Sequence, residues 1–203
     1  MTAAPWTELQ CDALRELGNV GCGRAATALS RLLAGRRILS ELPRSIVMAP
    51  GALASLLQPA AEPWWIARLT LAGALTGELL CAVPVLSAGE ILDRLLSEKE
   101  KSRSPSTALS ALAEAANIMG SAYLDGAASL TGLPILPSPP SVERETGDEL
   151  ERAWWERPAA ERGGLAIATS FRNGEGANLK GVLILIPTLA GTRTLLSAMR
   201  LSA

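Results

Sequence analysis

Residues 12 to 20 read DALRELGNV, and residues 110 to 118 read SALAEAANI. Asp12, Glu16 and Asn19 recur as Ser110, Glu114 and Asn117, each displaced by 98 positions. What surrounds the two stretches repeats as well. Each sits in a long helical pattern, followed by a proline-interrupted strand candidate, a short helix, two strands joined by a turn, and a closing helix. Gly77 and Gly181 fall in matching strands, and Pro84 and Pro187 close them. One such unit of under 100 residues hardly buries a sheet face by itself, whereas two copies cover each other. The pattern therefore predicts an α+β fold, a single domain over 1–203 built from two homologous halves, about 7–97 and 106–202. Pseudo-two-fold related units of helix-strand-helix-strand-strand-helix pool their strands into one mainly antiparallel six-stranded sheet flanked by helices.

The local signals are specific. TELQ predicts a capping box from Thr7 to Gln10 at the start of the first helix. Leu14, Leu17, Ala25, Ala28, Leu29, Leu32 and Leu33 follow at helical spacing, and Gly35 ends it. RILSELPRSIVMA is a strand candidate, and PGALASLL a short helix. WWIARLTLAG and ALTGELLCAVP read as a strand pair. SAGEILDRLL opens with a second box, Ser87 to Glu90. SEKEKSRSPS is a polar linker. In the second half LPILPSPPSV carries too many prolines for an interior strand and is expected to be irregular or at an edge. DELERAWWER is a short helix, GGLAIATSFR and NLKGVLILIP pair as strands, and TLAGTRTLLSAMR is the last helix.

Composition narrows the function. The chain is 48% hydrophobic with a net charge of −1, which argues against disorder and against a nucleic-acid partner, since no basic stripe is present. The N-terminus lacks a signal-peptide pattern, and apolar runs such as GVLILIPTLAG are too short to span a bilayer, so a cytoplasmic protein without membrane insertion is expected. Cys11, Cys22 and Cys81 form no CxxC pair and are expected as small buried side chains, with no metal site. The chain contains no histidine, which removes Ser-His-Asp and Cys-His catalysis.

On a helix, Asp12, Glu16 and Asn19 project from one face, with Gly23 one turn further; Ser110, Glu114, Asn117 and Ser121 do the same in the second copy. Leu14 and Leu17, or Leu112 and Ile118, are expected to point inward. A single such face is ordinarily only a solvated one. Here, however, two of the chain's four asparagines occupy the matching slot, and asparagine is a mediocre helix former. A carboxylate grips a lysine, and an amide orients a water, which is a recognised use of amides in phosphoryl transfer. Without a phosphate-cradling loop in this chain, phosphate and metal would arrive with a partner.

DALRELGNVGCGRAATALS and SALAEAANIMGSAYL resemble the two signature helices of the CheC phosphatases of chemotaxis, the CheC/CheX/FliY type. The family pattern is Asp/Ser-x3-Glu-x2-Asn with a proline a little over twenty residues on. Pro139 stands at that distance after Asn117, and Pro43 slightly further after Asn19. The resemblance implies a hydrolase that removes the aspartyl phosphate of a CheY-type response regulator in two-component signalling. It implies that Glu16 and Glu114 pair with the regulator's lysine while Asn19 and Asn117 orient the attacking water. Asp12, Ser110, Gly23 and Ser121 would support the contact surface. The chain would hold no cofactor of its own, Mg2+ being the regulator's. CheD, a receptor deamidase, is implied as a second partner, bound at the helix carrying Trp154 and Trp155, which diverge so that one faces outward. The alternative is a non-catalytic CheD-binding or FliM-like flagellar-switch module. Gly23-Arg24-Ala25 departs from the family's usual Gly-Asn-Ala and puts a cation near the first site. Trp64 and Trp65 are expected in the core.

Overall fold

A computed structural model describes residues 6–101, 104–158, 162–174 and 179–201. Helix α1 (Glu8–Leu32) begins at the expected box: Thr7 Oγ1 accepts the Gln10 amide, and the Gln10 side chain accepts the Thr7 amide at 2.9 Å. Strands β1 (Ile38–Ser40) and β2 (Arg44–Val47) follow, separated at Glu41–Pro43. PGALASLL forms only a 3₁₀ turn at Ala54–Leu56 rather than an α-helix. The hairpin β3 (Pro63–Gly73) and β4 (Gly77–Pro84) leads directly into α2 (Val85–Leu95).

That direct passage corrects the expected box at Ser87. Pro84 ends the strand and stands at the N-cap, so Ser87 lies inside the helix. There it is buried, and its Oγ accepts the Lys180 amide at 3.1 Å. The polar linker contains a helical turn, α3 (Glu98–Lys101); its residues 102–103 lie outside the described residues. Ser104 then caps α4 (Pro105–Thr131), which Gly132 ends in the left-handed conformation. Strands β5 (Ile135–Pro137) and β6 (Ser141–Thr146) precede α5 (Gly147–Glu156), β7 (Leu165–Asn173), β8 (Lys180–Pro187) and α6 (Leu189–Ala198).

Among the described residues all strand pairs are antiparallel and form one sheet. It has six lanes, as the repeat predicts, but each outer lane is split into two short strands. β1 and β2 share one edge along β7; β5 and β6 share the other along β3. The prolines of SELPR and LPSPP cause the splits, because a proline has no N–H to give a ladder. The order β1/β2–β7–β8–β4–β3–β5/β6 interleaves the halves: each half's outer lane pairs with the other half's hairpin.

Residue parity divides the core. Odd positions such as Leu69, Leu79, Ile167, Phe171 and Leu185 face α1, α2, α4 and α6, together with Leu14, Leu17, Leu112, Tyr123 and Leu195. Even positions such as Trp64, Ile66, Leu80, Ile184 and Ile186 face the 3₁₀ turn and α5, packing on Leu53, Leu57, Leu150 and Trp154. Trp65 lies half-buried on the opposite face from Trp64. Strand β8 is buried along nearly its whole length, which is why it reads as a continuous apolar run. Cys22 and Cys81 are buried and Cys11 half-buried; burial pushes the Cys22 and Cys81 thiols up to about 12. Among the described residues no helix is long and apolar enough to cross a membrane.

Candidate functional site: two outward Glu–Asn pairs

Helix α1 turns Leu14, Leu17, Gly18, Gly21, Cys22 and Ala25 inward, all buried, against the sheet and helix α4. Gly18 permits the approach, since a Cβ there would stand 2.6 Å from Ile167 Cγ2 and 3.1 Å from Pro43 Cβ. With that stripe turned inward, Asp12, Glu16, Asn19 and Gly23 come out on the solvent face, all exposed. Asp12 forms an ion pair with Arg15, whose Nε also donates to the Cys11 carbonyl at 3.4 Å. A Cβ on Gly23 would meet no described residue within 4 Å, so its smallness serves no contact with them.

Helix α4 repeats the arrangement. Leu112, Ala115, Ala116 and Met119 point inward. Ile118 does not: it is half-buried at the flank, because the inward stripe runs 112, 115, 116, 119 and leaves 118 beside it. Ser110 and Glu114 are exposed, and Asn117 and Ser121 are half-buried. Ser110, Ala113, Glu114 and Asn117 form one wall of a shallow open depression whose other wall is Pro137, Pro139 and Pro140. Sequence reading identified Pro139 but missed Ala113, Pro137 and Pro140; the run LPSPP was the available signal, read only as a mark of an edge strand.

The two sites sit over opposite edges of the sheet, α1 over β1/β2 and β7, α4 over β5/β6 and β3. The helices cross at glycines: a Cβ on Gly126 would be 2.8 Å from Gly21 Cα. Arg24 reaches across this crossing and donates from Nη1 to the Asp125 carbonyl at 3.1 Å, so the departing residue of the first signature braces α4. Glu16, Asn19, Glu114 and Asn117 have no side-chain hydrogen bond or ion pair to any described residue. Of the tryptophan pair, Trp154 is 2% exposed and lies in the core, under Arg157 at 5.0 Å. Trp155 is the outward member; it is half-buried, donates from Nε1 to Glu151, and carries Arg162 over its ring at 4.9 Å.

A carboxylate and an amide one turn apart on an open helix surface cannot enclose a small molecule. They can engage a convex partner that brings its own reaction centre, the carboxylate taking a cation and the amide ordering a water. Among the described residues no group of three His, Cys, Asp or Glu side chains is placed to hold a metal ion.

Residues 9–39 and 108–144 match the CheC-like family, and these two segments carry both Glu–Asn pairs. The chain is 29% identical over 186 residues to the CheY-P phosphatase CheC of Bacillus subtilis (strain 168), an alignment covering 89% of this chain and 88% of that one. Its fold is that of Thermotoga maritima FliY, with a TM-score of 0.70 at 21% identity over 97% of this chain and 98% of the other. It also matches a chain of the CheX–CheY–BeF3–Mg2+ complex of Borrelia burgdorferi, with a TM-score of 0.53 at 14% identity, covering 84% of this chain and 96% of that one.

Proposed function

We propose that the chain, which matches the CheC-like family at both signature helices and resembles a CheC relative along most of its length, dephosphorylates a phosphorylated CheY-type response regulator. The observation that carries this reading is the twice-displayed Glu–Asn pair, outward on a rigid helix and unengaged by any described residue. Glu16 and Glu114 each accept the ammonium of a lysine on the docked receiver. Asn19 and Asn117, one helical turn away, enter beside the aspartyl phosphate and hold a water in line with phosphorus. Attack of that water breaks the acyl phosphate bond, releasing inorganic phosphate and the free aspartate. The gain comes from geometry, since an amide is no base. Any Mg2+ needed belongs to the receiver, which leaves this chain to supply positioning alone. The B. subtilis relative is by name a CheY-P phosphatase, and the CheX of similar fold is in complex with CheY, which supports the reading.

The test is the decay of aspartyl phosphate on a cognate receiver with Mg2+ present. Asn19→Ala/Asn117→Ala is expected to lower the catalysed rate on the order of 10²-fold, because an unheld water loses its attack geometry. Each single variant is expected to retain part of the activity. A double variant that folds and hydrolyses at the native rate refutes the mechanism. Wild-type protein that binds the receiver without speeding decay favours the alternative, a non-catalytic CheD-binding or FliM-like module.

A further inference from the structure

The two sites share their Glu and Asn but not their surroundings. The displacement of 98 that relates Asn19 to Asn117 also relates Arg15 to Ala113, a residue lining the second depression. The outer lanes are related by 97 instead: β1 and β5 start at Ile38 and Ile135, β2 and β6 at Arg44 and Ser141. In space, therefore, Pro43 corresponds to Pro140, and Leu42 corresponds to Pro139. Leu42 is 85% exposed, held out by the break between β1 and β2. Arg15 is 43% exposed, anchored by Asp12 and the Cys11 carbonyl, with guanidinium donors to spare. Where the second site is walled by an alanine and prolines, the first presents a fixed cation and a bare leucine.

Resting on the phosphatase reading, we propose that Arg15 and Leu42 are specificity-determining residues of the first site. They recognise an acidic side chain and an adjacent apolar one on the receiver, and they give that site a partner preference the second lacks. Asp12 serves this role indirectly: its carboxylate fixes the Arg15 fork, so less freedom is lost on docking. Position 110 is a serine next to Ala113 and has no cation to orient.

The test uses the full chain in two one-site forms, Asn117→Ala, which leaves the first site, and Asn19→Ala, which leaves the second. Receiver dephosphorylation is measured against receiver and salt concentration. The first site is expected to show the steeper rise of KM with salt, since a solvent-facing cation is screened. In the Asn117→Ala form, Arg15→Ala is expected to raise KM about fivefold and flatten the salt response. Leu42→Ala is expected to raise KM about tenfold without changing the salt response. Both are expected to leave kcat in place, and Arg15→Ala/Leu42→Pro gives the first site the KM and salt response of the second. Equal behaviour of the two one-site forms, or an unaltered KM in Arg15→Ala, overturns the proposal. If no form hydrolyses, the phosphatase reading fails. Titration with the receiver carrying BeF3 and Mg2+ then decides: binding weakened by Arg15→Ala and Leu42→Ala upholds the recognition role, and unchanged binding removes it.

Discussion

At Gly18 one missing methyl group brings helix and sheet together and sets the stage for the next residue, Asn19. A Cβ at this buried position would lie inside the contact distance of Ile167 Cγ2, a stiff β-branched methyl, and press on Pro43. Gly18→Ala gains up to about 1 kcal/mol of helix propensity but overpacks the interface by about 1–3 kcal/mol, so the net expectation is a lower melting temperature. It is also expected to weaken the first site more than the second, because Pro43 abuts only the first. Thermal melts, with phosphate-release assays in the two one-site forms, check both statements. At this scale the Glu–Asn pairs were legible from spacing, because side chains three and four apart share a helix face whatever the rest of the chain does. Leu42 was not legible: its place depends on where a broken outer strand restarts, and no local pattern encodes that.

The short helix α5 has its own capping box at Thr146 and Glu149, and one further carboxylate ties it to the other half. Glu151 accepts the amides of Gly51, Leu53 and Ala54 at 2.8, 2.8 and 3.2 Å, and the Trp155 indole N–H, tying α5 to the 3₁₀ turn of the other half. Burial pushes the Glu151 carboxyl up, but the Trp155 hydrogen bond and those from the three amides outweigh it and hold the carboxyl below its ordinary range. A lowered folded-state value stabilises the protein above the unfolded-state value of 4.5, and that contribution disappears as pH falls through the folded value. Glu151→Gln is therefore expected to lower stability at pH 7 and to lose less on acidification from pH 6 to 3 than the native chain does. Denaturant midpoints across that range measure it. The existence of α5 was legible from its composition, and the divergence of Trp154 and Trp155 from helix geometry. Which ring turned inward was decided by the even-residue face of the sheet, where Trp154 packs with Leu53, Leu57 and Trp64.

Across the whole molecule, each half lays its outer lane on the other half's hairpin, so neither half completes a sheet alone. Trp64 and Trp154 report on one face of the sheet and Trp65 on the other. Tryptophan fluorescence and far-ultraviolet circular dichroism are expected to give one coincident unfolding transition, and Gly126→Ala, which drives a Cβ into Gly21 at the helix crossing, is expected to shift both signals together. Two separated transitions would show that the halves unfold independently. The repeat, the helical faces, the hairpins and the outward Glu–Asn pairs were determined by the sequence itself, since each rests on a periodicity of a few residues. The exchange of outer lanes, the turn that replaces a helix at Ala54–Leu56, and the unequal surroundings of two matching sites were decided only in three dimensions. They arise from contacts between residues about a hundred positions apart, where no local periodicity operates.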